Sequence, residues 1–342
     1  MISPSSSEHQ AAARAHANIA LAKYWGKADS IRNLPATPSL SLTLEGMSTL
    51  TEVEFSPAQS GDELWLDGSK QVGKPLERAA RLLDSVRALA GSKLWARVRS
   101  RNDFPTASGL ASSASGFAAL ALAAARALGL TLSPSEISAL ARAASASAAR
   151  SVFGGYVELR ARGEHAEPLL PGEAWPLHML VAVTSQSAKD TASTDGMQHT
   201  ASTSPYYGAW VDRSPGLFAE IKSAILSRDF ERLAPAVEQS ALMMHASMLA
   251  ARPALLYFKP ATIALIECVR ELRRRGSEAC FTIDAGPHVK VLVTPSAVPD
   301  VRRALSDVPG VLELLHSAPG PDAALLAPEA SAELDLTSRA RP

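Results

Sequence analysis

The chain has 342 residues and a mass of 36.0 kDa, long for one core and comfortable for two domains of ordinary size. Apolar residues make up 46% and charged residues 20%, with 34 basic side chains against 34 acidic ones; this excludes a disordered chain and any bulk field that recruits nucleic acid or an anionic membrane. No stretch approaches the run of about 18 apolar residues that a membrane helix needs, and Cys268 and Cys280 have neither metal-type spacing nor a disulfide framework.

Residues 1–13 are Ser- and Ala-rich without an apolar signal core, so a frayed leader and a cytoplasmic location are expected. From Arg14 a strand-like run leads into Lys23-Tyr-Trp-Gly-Lys27. Alternation predicts strands at Ser39–Leu44, Thr49–Phe55 and Glu63–Gly68, and helical spacing comes next at Leu76–Leu89. Leu94–Arg99 returns to strand. Phe104-Pro-Thr-Ala-Ser-Gly-Leu-Ala-Ser-Ser113 is a small-residue loop entering an Ala-rich helix that ends before Gly129. Ser133-Pro134 caps a second helix to about Ala144, and Ser145–Ser151 reads as a second loop. Val152–Leu159 and Met179–Thr184 read as strands.

Residues 191–251 are mostly helical, and Pro260–Arg275 is amphipathic with a basic end that suits a solvated helix C-terminus. Strands at Ala279–Asp284 and Val289–Val293, a helix at Pro299–Ser306 and a strand at Val311–His316 close the pattern. Elements are mixed in both halves with no GxGxxG after the first strand, which argues α+β. The polar run Ser185–Asp190 marks a boundary between domains at 14–187 and 188–329, and 330–342 reads as a polar tail.

Four stretches carry chemistry. The loop Ala107, Ser108, Gly109, Leu110, Ala111, Ser112 and Ser113 can present backbone N–H groups and a helix start to a phosphate. It lacks the Gly-Lys-Ser/Thr of the common P-loop; its serines suit either helix capping or a Mg²⁺ bridging nucleotide phosphates. Ser145, Ser147 and Arg150 suit an oxyanion, or equally a surface arginine beside a helix end. Lys23, Tyr24, Trp25 and Lys27 put two cations and two aromatics on one turn, where the rings could equally be core. Asp284 sits before a Gly-Pro turn, as a turn-former or as a general base.

Taken in order, Asn18-Ile-Ala20, Lys23-Tyr-Trp-Gly-Lys27, Phe104–Ser113, Arg150-Ser-Val-Phe-Gly-Gly-Tyr156, Gly196-Met-Gln198 and Asp284-Ala-Gly-Pro287 resemble the mevalonate diphosphate decarboxylases of the GHMP kinase superfamily. The resemblance spans residues 14–318. It implies a two-domain fold, with a ribosomal-protein-S5-like N-terminal domain packed on a ferredoxin-like C-terminal one, commonly as a homodimer. It also implies ATP and Mg²⁺ as cofactors and mevalonate 5-diphosphate as substrate, converted to isopentenyl diphosphate with release of ADP, phosphate and CO₂.

By the same resemblance Asp284 faces the substrate 3-hydroxyl, Lys23 holds Asp284 ionised, and Arg150 clamps the substrate carboxylate. Tyr24, Lys27, Ser145, Ser147 and Ser193 bind the diphosphate, with Trp25 on the same turn and Asn18 near the carboxylate or hydroxyl. Residues 107–113 cradle the ATP phosphates, and Ser112 or Ser113 holds the metal. The chain departs from the family pattern in the alanines around Ser145 and Ser147, in Thr194 where some members carry arginine, in Thr37-Pro38, and in His288 where asparagine is common. These departures keep a mevalonate 5-phosphate decarboxylase open as a rival. A 3-kinase without decarboxylation and a catalytically dead sensor are the other readings.

Overall fold

The computed structural model describes residues 9–104, 112–185 and 191–327. In chain order the N-terminal half runs β1 (Gln10–Ala22), β2 (Lys27–Asp29), β3 (Leu34–Pro35), β4 (Ser39–Ser56), β5 (Glu63–Leu66), β6 (Ser69–Gln71), α1 (Lys74–Ala90) and β7 (Trp95–Asn102). It continues with α2 (Ser112–Ala127), α3 (Pro134–Ala144), a 3-10 helix at Ala146–Val152, β8 (Tyr156–Leu159) and β9 (Glu167–Leu170). Next come β10 (His178–Val183), α4 (Ser193–Thr203), α5 (Tyr207–Ser227), α6 (Phe230–Leu249), α7 (Pro260–Arg274), β11 (Ala279–Ile283) and β12 (Val289–Val293). The last elements are α8 (Val298–Ser306), β13 (Glu313–Ser317) and β14 (Ala324–Leu325).

Two sheets divide these strands. The larger is ordered β14-β1-β4-β7-β5-β6, with β8 and β9 continuing from β4; the smaller is the antiparallel β11-β12-β10-β13. The expected α+β class with strands in both halves is what forms. The division of the chain is corrected, however: residues 178–183 belong to the second sheet, so the crossover precedes the polar run at 185–190. The leader expected to reach residue 13 is corrected too, since Gln10–Ala13 pair with Thr51–Glu54 of β4. Residues 330–342 lie outside the described residues.

One irregularity in β1 positions the site. Ala13 and Ala15 face α2, whereas Ala17, Ile19 and Leu21 pack toward the second sheet and α5 and α6. Residues two apart share a face in a regular strand, so a face change among odd-numbered residues needs an extra residue. The change coincides with the register shift between His16 and Asn18, where the partner on β4 moves from Ser48 to Thr43, five residues against two on β1. Asn18 is thereby turned toward the 3-10 helix. The first half of β1 is alanine-rich because α2 is too: Ala118, Ala119, Ala121, Ala123 and Ala124 are fully buried, and small side chains let helix and sheet approach closely.

The second half of β1 meets the interdomain core, where Ile19, Leu21, Leu40 and Leu42 touch Met179, Val181, Ile221, Leu233 and Leu292. Helix α3 starts as expected: Ser133 Oγ accepts from the Glu136 N–H at 3.3 Å, and Glu136 returns the bond to the Ser133 N–H at 2.7 Å. The stretch 146–152 forms a 3-10 helix rather than an open loop. Alanines in place of glycines favour helical dihedrals, and Asn18 and Ser138 donate to the Ser147 and Ala149 carbonyls at 3.1 and 2.9 Å. The basic end of α7 is likewise not merely solvated. Arg273 makes two bonds, of 2.6 and 2.9 Å, to the buried carboxylate of Glu238.

Candidate active site

Lys23 comes directly after β1 and lies at the junction of the two sheets. Its backbone N–H donates to Ser240 Oγ of α6 at 2.9 Å, and its ammonium reaches Asp284 Oδ1 at 2.5 Å. Asp284 directly follows β11, in a turn held by Thr262 and Thr184 hydroxyls donating to the Pro287 carbonyl at 2.8 and 3.1 Å. Lys290 of β12 approaches the other oxygen, Oδ2, at 3.1 Å. Both lysines are sealed from solvent, while the Asp284 side chain keeps 27% of its surface exposed. The carboxylate is therefore the part of this trio that a substrate can touch.

Burial sets the electrostatics of the trio. Desolvation pushes the Lys23 ammonium down to about 8, opposed by the Asp284 carboxylate and reinforced by Lys290 and Arg150. For Asp284, burial alone raises the carboxyl, but the two lysines outweigh it and hold it well below the usual range. Asp284 is ionised at neutral pH.

Arg150 lies on the 3-10 helix and is 2% exposed. Its Nε and a terminal nitrogen donate to Ser41 and Ser39 hydroxyls of β4 at 2.9 and 2.5 Å. No carboxylate of the described residues pairs with it. Burial pushes it down to about 10, with Tyr24 and Asp284 as the nearest opposing influences. A buried guanidinium held only by hydroxyls is incomplete without an anion.

Asn18 donates to Ser151 Oγ at 2.7 Å, and its own carbonyl oxygen is buried without a partner, so the amide both anchors the 3-10 helix and retains an acceptor. Tyr24 is half-buried with an unpartnered hydroxyl. Ser145 and Ser147 hydroxyls lie 3.3 Å apart at the start of the 3-10 helix. Lys27 is half-buried on β2; burial lowers it, Arg78 of α1 lowers it further, Asp195 of α4 opposes them, and Arg81 of α1 adds a smaller lowering. Arg78 donates to the Ala144 carbonyl at 3.1 Å beside those serines. Ser193 opens α4, whose first turn rests on Trp25 through Gly196.

Trp25 lies deeper than Tyr24 beside it. It is 1% exposed and packed among Met197, Trp210, Met244, Met248 and Tyr257. Its carbonyl accepts from Trp210 Nε1 at 2.8 Å. The ring braces the turn, and its own indole Nε1 is buried without a partner, a donor left to offer.

Residues 107–111 of the expected phosphate loop lie outside the described residues. In the first turn of α2, Ser112 is half-buried and Ser113 exposed. That helix has 16 residues and no acidic side chain in its first turn to offset its N-terminal partial charge. Among the described residues no three His, Cys, Asp or Glu side chains converge as a metal site. Mg²⁺ there would lean on phosphates and a serine hydroxyl, which is how it commonly binds. The hydroxyls of Ser112 and Ser113 at this helix start fit a Mg²⁺–nucleotide.

Sequence reasoning missed Lys290, Arg78, Ser39 and Ser41. Lys290 had a signal, a lysine inside the apolar strand Val289-Lys-Val-Leu-Val293. The serines look like ordinary outward positions of an alternating strand. His288 is fully buried, its Nδ1 accepting from the Thr184 N–H at 3.2 Å, so it ties β12 to the end of β10. Both cysteines are free, and among the described residues no helix is long and apolar enough to cross a membrane.

Two family models match: the diphosphomevalonate decarboxylase-like N-terminal domain over residues 15–168 and the mevalonate 5-diphosphate decarboxylase C-terminal domain over 179–318. The diphosphomevalonate decarboxylase of Ganoderma lucidum is 38% identical over 84% of this chain and 79% of its own length. The mevalonate diphosphate decarboxylase of Staphylococcus aureus superposes with a TM-score of 0.88 at 38% identity, covering 93% of this chain and 98% of that one. The Enterococcus faecalis enzyme, described with a mevalonate diphosphate mediated ATP binding mechanism, gives 0.84 at 39% identity over 93% of this chain and 98% of its own. A structure described as MDDEF in complex with MVAPP, AMPPCP and magnesium gives 0.87 at 40% identity over 93% and 98% of the two chains. With this fold and these motifs in place, the chain belongs to the diphosphomevalonate decarboxylase family of the GHMP kinase superfamily.

Proposed function

We infer that this chain carries out its family's reaction with Asp284, Lys23 and Arg150 at the chemical centre. The reaction is ATP-dependent decarboxylation of mevalonate 5-diphosphate to isopentenyl diphosphate, with ADP, phosphate and CO₂ released. The observation that carries the assignment of roles is the buried Arg150, without a carboxylate partner among the described residues, beside an ionised Asp284 clamped by lysines.

A tertiary hydroxide leaves poorly, so the 3-hydroxyl oxygen first takes the γ-phosphoryl group, forming one O–P bond as the bond to ADP breaks. Asp284 accepts the hydroxyl's hydrogen bond, orients its oxygen for in-line attack and receives its proton as the bond to phosphorus forms. Lys23 holds Asp284 ionised and, from behind it, adds positive potential where charge develops on the transferring group. The C3–O bond then breaks with loss of phosphate. The electron pair of the adjacent C–C bond becomes the alkene, and CO₂ departs. Arg150 holds the carboxylate in line for that step, with Asn18 Oδ1 as a neighbouring acceptor. Ser112 or Ser113 would hold Mg²⁺, which would supply charge neutralisation for the nucleotide phosphates.

Lys27, Arg78, Tyr24, Ser145, Ser147 and Ser193 form the diphosphate end. Lys27 and Arg78 are cations in one another's field, an arrangement that a multiply charged anion relieves. That supports the diphosphate over the monophosphate substrate, although Thr194 stands where some relatives have arginine. A homodimer is carried over from the family resemblance.

The test is a coupled ADP assay with CO₂ detection on mevalonate 5-diphosphate and mevalonate 5-phosphate. Stoichiometric CO₂ and ADP with a large kcat/KM preference for the diphosphate is expected. ADP without CO₂, or preference for the monophosphate, refutes the reading.

A further inference from the structure

Lys290 stands where the pattern of its strand calls for an apolar residue. Val289, Val291 and Val293 face the core beneath α7, while Leu292 faces the interdomain layer with Met179, Val181 and Cys280. Period-two alternation puts Lys290 on the face of Leu292, and its side chain is entirely inaccessible. It pairs in register with Thr282 of β11 and Val181 of β10, so it is central in its sheet. A lysine there must be desolvated, a cost that only a well-placed ion pair offsets. Its ammonium reaches Asp284 Oδ2, at 3.1 Å, on the oxygen that Lys23 leaves free.

We propose that Lys290 is a positioning residue of the reaction: it holds Asp284 Oδ2 from the C-terminal sheet, as Lys23 holds Oδ1 from the N-terminal one. The carboxylate plane is thereby fixed across the domain junction. Because Lys290 has no exposed surface, it acts through Asp284 and not on the substrate. A carboxylate held at one oxygen swings about its Cβ–Cγ bond; held at both, it presents the remaining lone pairs in one direction, and small misplacements at a reacting oxygen are costly. The proposal rests on the reading of Asp284 as the acceptor of the 3-hydroxyl.

The groups facing Asp284 are Lys23 from the end of β1, Lys290 from β12, Arg150 from the 3-10 helix and His245 from α6. Lys290 also depresses the proton affinity of Lys23. Loss of its charge therefore moves any rate limb set by Lys23 to higher pH. A purely structural lysine has no such signature.

The experiment compares Lys290→Met, Lys290→Gln and Asp284→Asn in the full chain, by steady-state CO₂ release from mevalonate 5-diphosphate and MgATP between pH 6 and 9.5, with thermal melts. Removing Lys290 leaves Asp284 and Lys23 as a compensated pair, so both variants are expected to fold. We expect kcat to fall at least tenfold, KM to stay within about threefold, and the basic limb to move up. Gln, which can still donate to Oδ2, should retain more rate than Met. Folded variants with kcat within twofold of the parent and an unmoved limb overturn the proposal. So do loss of rate with an unmoved limb and no advantage of Gln, or failure of both variants to fold. If Asp284→Asn turns over normally, the underlying role of Asp284 fails instead; if it is inactive while the Lys290 variants are normal, only the present inference fails.

Discussion

Lys23→Met separates a catalytic lysine from a structural one. The two side chains are similar in length, and Asp284 keeps Lys290 as a partner 3.1 Å away, so no bare carboxylate is left in the junction. Burial depresses the ammonium from 10.5 to about 8, and holding it charged at pH 7 costs about 3 kcal/mol. Methionine removes that cost, and the weaker hold on Asp284 offsets part of the gain. The melting temperature at pH 7 should stay level or rise. Removing a charge aimed at the transferring phosphoryl group should lower kcat by about 10²–10³, or about 3–4 kcal/mol.

The pH dependence runs in two directions. Between about pH 8 and 10.5 the unfolded chain binds the Lys23 proton more tightly than the folded one. This group's contribution to stability therefore rises with pH across that window, and the desolvation cost is fully present below it. Activity that needs the ammonium falls across the same window. Rate profiles and melts at matched pH should show a basic limb near pH 8 in the parent and none in the residual rate of Lys23→Met. A variant that loses several degrees of melting temperature, or that keeps kcat within threefold, would sink this reasoning.

Two further outcomes test the frame around the trio. Arg150→Lys cannot reproduce the fork that meets Ser39 and Ser41 at 2.5 and 2.9 Å, so kcat/KM should fall at least 10²-fold with an unchanged circular dichroism spectrum; retention of a tenth of the activity would count against the carboxylate clamp. Gly26 has φ +111°, and a Cβ there would sit 2.0 Å from the Tyr207 hydroxyl oxygen. Gly26→Ala should therefore destabilise by about 1–3 kcal/mol in urea melts and raise KM by displacing the turn that carries Lys23 and Lys27. A parent-like urea midpoint would show that the turn yields freely.

The readable features of the chain were local. The Ser133-Pro134 cap, the alanine-rich α2, the alternation of β4 and the order of motifs depend on neighbours a few residues apart, and these set the α+β class and the family. Short-range chemistry also explains where reading failed. Ser145–Ser151 looks like an open loop until Asn18, far away in sequence, accepts it as a 3-10 helix.

The site itself depends on distance in sequence. Lys23 and Asp284 are 261 residues apart, and nothing near either one states that they touch. Their meeting requires β1 to change faces at the bulge between His16 and Asn18 and β10 to join the second sheet. Residue types already determined that phosphate, carboxylate and proton chemistry were available. Only the packing of two sheets decided that Asp284 would lie between two buried lysines, because charge shifts of this size need desolvation, and desolvation exists only once the interdomain core has formed.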